Sequence, residues 1–118
     1  MAIRTKRIYE KVSKEDGIRI LVDRLWPRGV SKKDAHLDVW LRDIAPSTEL
    51  RAWFNHDPSK WNKFRSSYFA ELDKNSQLTT QLLQKAKDGT ITLVFSAKEE
   101  KFNNAVALKE YLEEKLKT

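Results

Sequence analysis

Two short apolar runs constrain this chain more than any other feature. Ile18-Arg19-Ile20-Leu21-Val22-Asp23, after an Asp16-Gly17 turn, and Thr90-Ile91-Thr92-Leu93-Val94-Phe95 are rich in β-branched residues and suit buried parallel strands. Helical spacing fills much of the rest. Asp57 and Pro58 give a start signal, after which Trp61, Phe64, Tyr68 and Leu72 fall on one face with Phe69 beside them. Residues 76–87 place Leu78, Leu82, Leu83 and Ala86 inward and stop at Asp88-Gly89, and residues 103–117 do the same with Ala105, Leu108 and Leu112. Parallel strands need crossover connections, so strands alternating with helices predict an α/β fold: one small, three-layer-like domain with a short, mostly parallel sheet and helices packed on it.

The remaining segments are less regular. Residues 3–9 alternate only loosely. Residues 37–44 alternate for five positions and then lose the pattern, which fits a strand or a short helix; extended structure ending at Pro46 is favoured. Ser47 reads as an N-cap, with Leu50, Trp53 and Phe54 as the apolar side of a short helix interrupted at Asn55-His56-Asp57-Pro58. With 118 residues, residues 1–118 read as a single domain that buries about two-thirds of its unfolded surface without a disulfide or structural metal. The absence of Cys excludes a thiol nucleophile, a thiolate zinc site and an iron–sulfur cluster. No apolar leader or membrane-length run occurs, so the expected setting is the cytoplasm with no membrane partner. The sequence leaves the oligomeric state open.

A net charge of +6 and a pI near 9.6 admit anionic metabolites, nucleic acid and acidic proteins as partners without choosing among them. The kind of cation is unevenly spread: Arg4, Arg7, Arg19, Arg24, Arg28, Arg42 and Arg51 all precede residue 52, and Lys dominates afterwards. Arginine is the cation suited to bidentate carboxylate and phosphate recognition, so a specific anion site should lean on the first half.

In open α/β sheets, ligands gather outside the carboxyl ends of the strands. Here that means residues 23–29, the region of Pro46, and residues 96–104. In Asp23-Arg24-Leu25-Trp26-Pro27-Arg28-Gly29, Arg24 and Arg28 can clamp a phosphate or carboxylate while Trp26 offers an apolar wall; the same residues also fit a structural ion pair from Asp23 with Trp26 in the core. His56 beside Asp57 can act as a general base with an orienting carboxylate, although such a His more often caps a helix junction, with Asp57 simply an N-cap. Ser96, Asn103 and Asn104 sit before the last helix, where free N–H groups can hold an anion or Asn can simply cap. The only other histidine, His36, is far from His56 in sequence and no metal-ligand spacing occurs; neither a P-loop nor a dinucleotide fingerprint is present, so no cofactor or metal is expected. The aromatics recur at core spacing and the lysines are interleaved with acids, which makes nucleic-acid association the second reading.

Four ordered motifs extend this. Residues 21–29 (LVDRLWPRG), 40–47 (WLRDIAPS), 53–58 (WFNHDP) with Trp61 and Phe64, and Asn103-Asn104-Ala105 together resemble the YeaO-like branch of a bacterial domain-of-unknown-function family, over nearly the whole chain. The resemblance implies a small, single-domain α/β protein and places weight on Asp23, Arg24, Trp26, Arg28, Asp43, His56, Asp57 and Asn104. The chain departs from that pattern at Phe102, where the family often carries His. The expectation is an uncharacterised protein that binds a small anionic ligand at the carboxyl edge of the sheet. The alternative is a nucleic-acid-associated accessory protein with a basic surface.

Overall fold

The computed structural model describes residues 2–117 and contains one all-parallel sheet of four strands: β1 (Ala2–Arg7), β2 (Ile18–Leu21), β3 (Val39–Trp40) and β4 (Thr90–Phe95), ordered β1-β4-β2-β3. The apolar run of β4 lies between β1 and β2 and is buried from Ile91 to Phe95, as expected of a parallel strand covered on both faces. Ile91 pairs in register with Ile3 on one side and Ile18 on the other, and Leu93 pairs with Thr5 and Ile20. These residues point to one face, where α2 (Thr48–Phe54), α3 (Trp61–Asp73), α4 (Ser76–Asp88) and α5 (Asn104–Leu116) bury Phe54, Phe64, Leu72, Leu82 and Leu108 in the main core. The protein is an α/β domain whose layers are unequal. Its second face carries Leu21, Val94 and Ile8 and is covered by the short α1 (Lys32–Ala35) and the loop holding Trp26, Val30 and Leu37.

Caps follow the sequence closely. Ser47 Oγ accepts from the Leu50 N–H at the start of α2, and Asn103 Oδ1 accepts from the Val106 N–H at the start of α5. Asp57 caps a 3₁₀ turn, Pro58–Lys60, which leads into α3. Three expectations change. The loosely alternating N-terminal segment is a full edge strand, with Arg4 and Lys6 alternating against Ile3. The extended segment before Pro46 is only two residues of β3, because the chain then turns into a 3₁₀ helix, Arg42–Ile44, which Tyr68 fixes by donating its hydroxyl to the Ile44 carbonyl at 2.6 Å. Trp53 is 39% exposed instead of inward; Lys60 and Lys63 lie over its ring, 5.1 and 5.9 Å from the centroid.

The second face also holds a buried ionic cluster. Asp16 is fully buried and accepts from Lys6 Nζ and Arg19 Nη1, each at 2.7 Å, and from the Ser13 N–H at 3.1 Å. Arg19 is held further by the carbonyls of Ala35 and His36. Burial by itself raises the Asp16 pKa, but the hydrogen bonds from Lys6, Ser13 and Arg19 outweigh it and hold the carboxyl below its ordinary value. Gly17 must follow, because its φ is +64° and a Cβ there would stand 2.1 Å from the Thr90 carbonyl oxygen.

Candidate functional site

The carboxyl ends of β2 and β4 are tied together by Asp23. Its Oδ2 accepts from the Ser96 N–H and hydroxyl, both at 2.9 Å, and its Oδ1 accepts from Asn104 Nδ2 at 3.1 Å. Asn104 Nδ2 also donates to the Val22 carbonyl, and Trp40 Nε1 donates to the Asp23 carbonyl. Two strand ends and the start of α5 therefore meet on one carboxylate. Outside this staple lies a cavity of about 420 Å³. That volume falls within the range of small-molecule pockets.

Three separated segments line the cavity. Asp23, Arg24 and Leu25 form one side; Thr48, Arg51, Ala52 and Asn55, spaced along one face of α2 and its C-terminus, form another, with His56 next to them. Ala97, Asn103 and Asn104 close the third side, and Phe54 and Phe64 stack beneath with ring centroids 4.2 Å apart. Ala45 and Pro46 complete the wall.

The charges on this wall are unbalanced. Arg24 Nη2 reaches the Ala45 carbonyl only at 3.4 Å, and Nη1 stands 3.9 Å from the exposed Asp43 carboxylate. The Arg51 guanidinium has no hydrogen bond or ion pair with any described residue. In both arginines the Nε atom is buried and has no acceptor. A buried N–H left unpaired costs about 1–3 kcal/mol, so two in residues that line one cavity call for an explanation. The helix that carries Arg51 is braced at its start: Glu71 of α3 accepts from the Ser47 N–H at 2.8 Å and hydroxyl at 2.6 Å, which sets the first turn of α2.

The structure sorts the residues singled out in the sequence. Arg24, His56, Asn103, Asn104 and Asp23 line the cavity. Asp23, Ser96 and Asn103 have their polar groups committed within the protein, Asn103 by capping α5 and donating to the Glu99 carbonyl. Arg28 and Trp26 lie outside the cavity lining. After Pro27 the chain turns through Gly29 (φ +74°), leaving the Arg28 side chain exposed, away from the cavity lining, while Tyr9 donates to the Arg28 carbonyl at 3.0 Å. Trp26 packs edge-on against Trp40 at 5.3 Å and donates to the Val30 carbonyl at 2.7 Å, covering the second face of the sheet. Asp57 follows the capping alternative. Its carboxylate accepts from the Ser59 N–H and hydroxyl, which lowers its pKa, and no hydrogen bond joins it to His56. His56 is exposed, with backbone in the left-handed region at φ +55°. Asp43 is 79% exposed and reaches the cavity only through Arg24. Arg51 is the residue that sequence reasoning missed; the signal was its place four residues after the Ser47 cap, on the side of α2 bearing Thr48 and Asn55.

Among the described residues no group of three His, Cys, Asp or Glu could hold a metal ion, and no helix is long and apolar enough to cross a membrane. Phe102, at the position of the family's frequent His, packs on Trp61 at 5.4 Å and extends the aromatic core.

The uncharacterized protein YeaO of Escherichia coli is 45% identical over 112 residues, covering 95% of this chain and 97% of its own. An uncharacterized protein of Mycobacterium bovis is 43% identical over 76 residues, which is 64% of each chain. No solved structure matches significantly. Residues 2–118 match the family described as the inactive DUF488-N3 subclade, and the chain belongs to that YeaO-like family.

Proposed function

We propose that this protein binds a small oxyanion-bearing molecule in the cavity at the carboxyl edge of β2 and β4, with Arg24 and Arg51 as the anion ligands. One observation carries the reading: Arg24 and Arg51 line the same cavity, and each keeps a buried Nε–H without an acceptor. A phosphate or carboxylate gives each an acceptor and neutralises two cations brought together around one cavity. The start of α5 also lines the cavity, through Asn103 and Asn104, and adds its positive end to the field.

The reading is one of binding. Asp23 is the one carboxylate among the described lining residues, and its oxygens are occupied by Ser96 and Asn104. His56 lacks the orienting carboxylate that a general base of this kind needs. The family's description as inactive fits a chain that keeps a ligand cavity without that arrangement. A cytoplasmic setting belongs to the same proposal.

Thermal unfolding of the wild type, Arg51→Met and Arg28→Ala tests it, with inorganic phosphate, phosphate monoesters, carboxylic acids and short duplex DNA at two salt concentrations. A ligand at about 100 times its Kd adds roughly 2.7 kcal/mol, a shift of several degrees in a domain of this size. The expected result is a shift that Arg28→Ala keeps and Arg51→Met loses. Without ligand, Arg51→Met should be as stable as the wild type or more so, by up to about 1 kcal/mol, because it removes an unpaired buried donor. A shift with DNA alone, falling steeply with salt and equal in all three proteins, would contradict the cavity and favour binding through the basic surface.

A further inference from the structure

The cavity is larger than an anion requires, and the excess is apolar. A phosphoryl or carboxyl group between Arg24 and Arg51 occupies only a small part of about 420 Å³. Leu25, Pro46, Ala52 and Ala97 face the space that remains. Leu25 stands out among them. Four large hydrophobic side chains are exposed in the described residues: Tyr9 at 49%, Val12 at 37%, Leu25 at 66% and Trp53 at 39%. The ring of Tyr9 is covered by the Arg7 guanidinium at 4.8 Å, and that of Trp53 by Lys60 and Lys63. Leu25 is the most exposed of the four and the one that lines the cavity.

Its position is also fixed. Two residues earlier Asp23 is held by Ser96 and Asn104, and one residue later Trp26 is anchored on Trp40 and Val30. An apolar side chain held open at the mouth of a cavity, next to an anion ligand, is preorganised for apolar contact and loses little freedom when covered.

Building on the binding function proposed above, we infer that the ligand is bipartite: an oxyanion head, phosphate monoester or carboxylate, on an apolar body about the size of one ring, with Leu25 as the residue that selects for the body. The head meets Arg24 and Arg51 inside. The body fills the mouth between Leu25 and the Pro46–Ala52 side.

The test compares Kd values by calorimetry for two matched pairs, methyl phosphate against phenyl phosphate and acetate against benzoate, in the wild type and Leu25→Ser. Leu25 is two-thirds exposed, so its replacement leaves the core intact. The expected result is that the aromatic member of one pair binds about tenfold more tightly than its methyl counterpart, which corresponds to about 1.4 kcal/mol. In Leu25→Ser that preference should fall to about twofold while the methyl compound binds as before. The pair showing the preference identifies the head group. Equal affinities within both pairs, or a preference that Leu25→Ser leaves intact, would overturn this inference and leave the anion site standing. Failure of all four compounds to bind would overturn the anion site and the inference with it.

Discussion

At the scale of single residues, two sets of charges with opposite physical character divide the molecule. Around Asp16 every polar group is satisfied: Lys6, Arg19 and the Ser13 N–H converge on one buried carboxylate. Around Arg24 and Arg51 two buried donors have no acceptor. The first arrangement stabilises the fold, and the second is where the proposed ligand would supply the missing acceptors. Removing one partner of a buried ion pair leaves the other charged and desolvated, so Asp16→Asn should lower stability by about 3–5 kcal/mol at pH 7. The pH dependence has a definite sign. The folded-state pKa of Asp16 is depressed, so its stabilisation is fully present above the unfolded value of about 4 and is lost as pH falls through the lower folded value. Urea unfolding between pH 7 and pH 2 should therefore show a constant gap between wild type and Asp16→Asn down to about pH 4, narrowing below it. A gap unchanged to pH 2 would mean that the carboxylate charge is not what stabilises the cluster.

At the scale of elements, α2 is the part of the fold that turns a structural feature into a candidate binding one. Its first turn is set by Ser47, which caps Leu50 and is itself held by Glu71 of α3. One turn later the same helix delivers Arg51 to the cavity. Glu71 does not line that cavity. Glu71→Ala should destabilise the protein by about 1.5–3 kcal/mol, the range for hydrogen bonds to a charged group, and should also weaken phosphate binding, because the first turn of the helix that carries Arg51 loses its brace. Urea unfolding and a phosphate titration of the same variant check both effects, and unchanged phosphate affinity would separate the brace from the site. Residues with a period or a cap were legible in the sequence. β2, β4, the helices after Pro58, and the caps at Ser47, Asp57 and Asn103 all stand where apolar spacing and cap chemistry put them. Segments without a period were not. Residues 24–29 carry two arginines four positions apart, yet the turn at Pro27 and Gly29 sends Arg24 and Arg28 to different places, and no local pattern records that turn.

At the scale of the whole molecule, the site depends on contacts distant in sequence. Asp23 joins Ser96 and Asn104 across more than 70 residues, and Arg24 meets Arg51 and His56 around one cavity. The general rule that ligands gather at the carboxyl ends of parallel strands made that edge the place to look. It could not say which arginine would be there, because Arg51 comes from a helix and not from a strand end. The Asp16 cluster was hidden for the same reason: Lys6, Arg19 and the Thr92 hydroxyl, which donates to the Asp16 carbonyl, come from three different strands. The unequal layers also divide the labour. The thick helical face supplies the main core and α2, while the loop over the thin face anchors Trp26 and so holds Leu25 at the rim.

The central claim is that the guanidinium groups of Arg24 and Arg51 together take an oxyanion as acceptor. The most direct measurement is the ¹H–¹⁵N spectrum of the arginine Nε–H groups during titration with inorganic phosphate, with Arg24→Lys and Arg51→Lys used to assign the two resonances. Those two signals should move downfield together and saturate, as unpaired donors become charge-assisted hydrogen bonds, while Arg28 stays in place. Static Arg24 and Arg51 signals, with the exposed arginines drifting in proportion to added salt, would contradict the account.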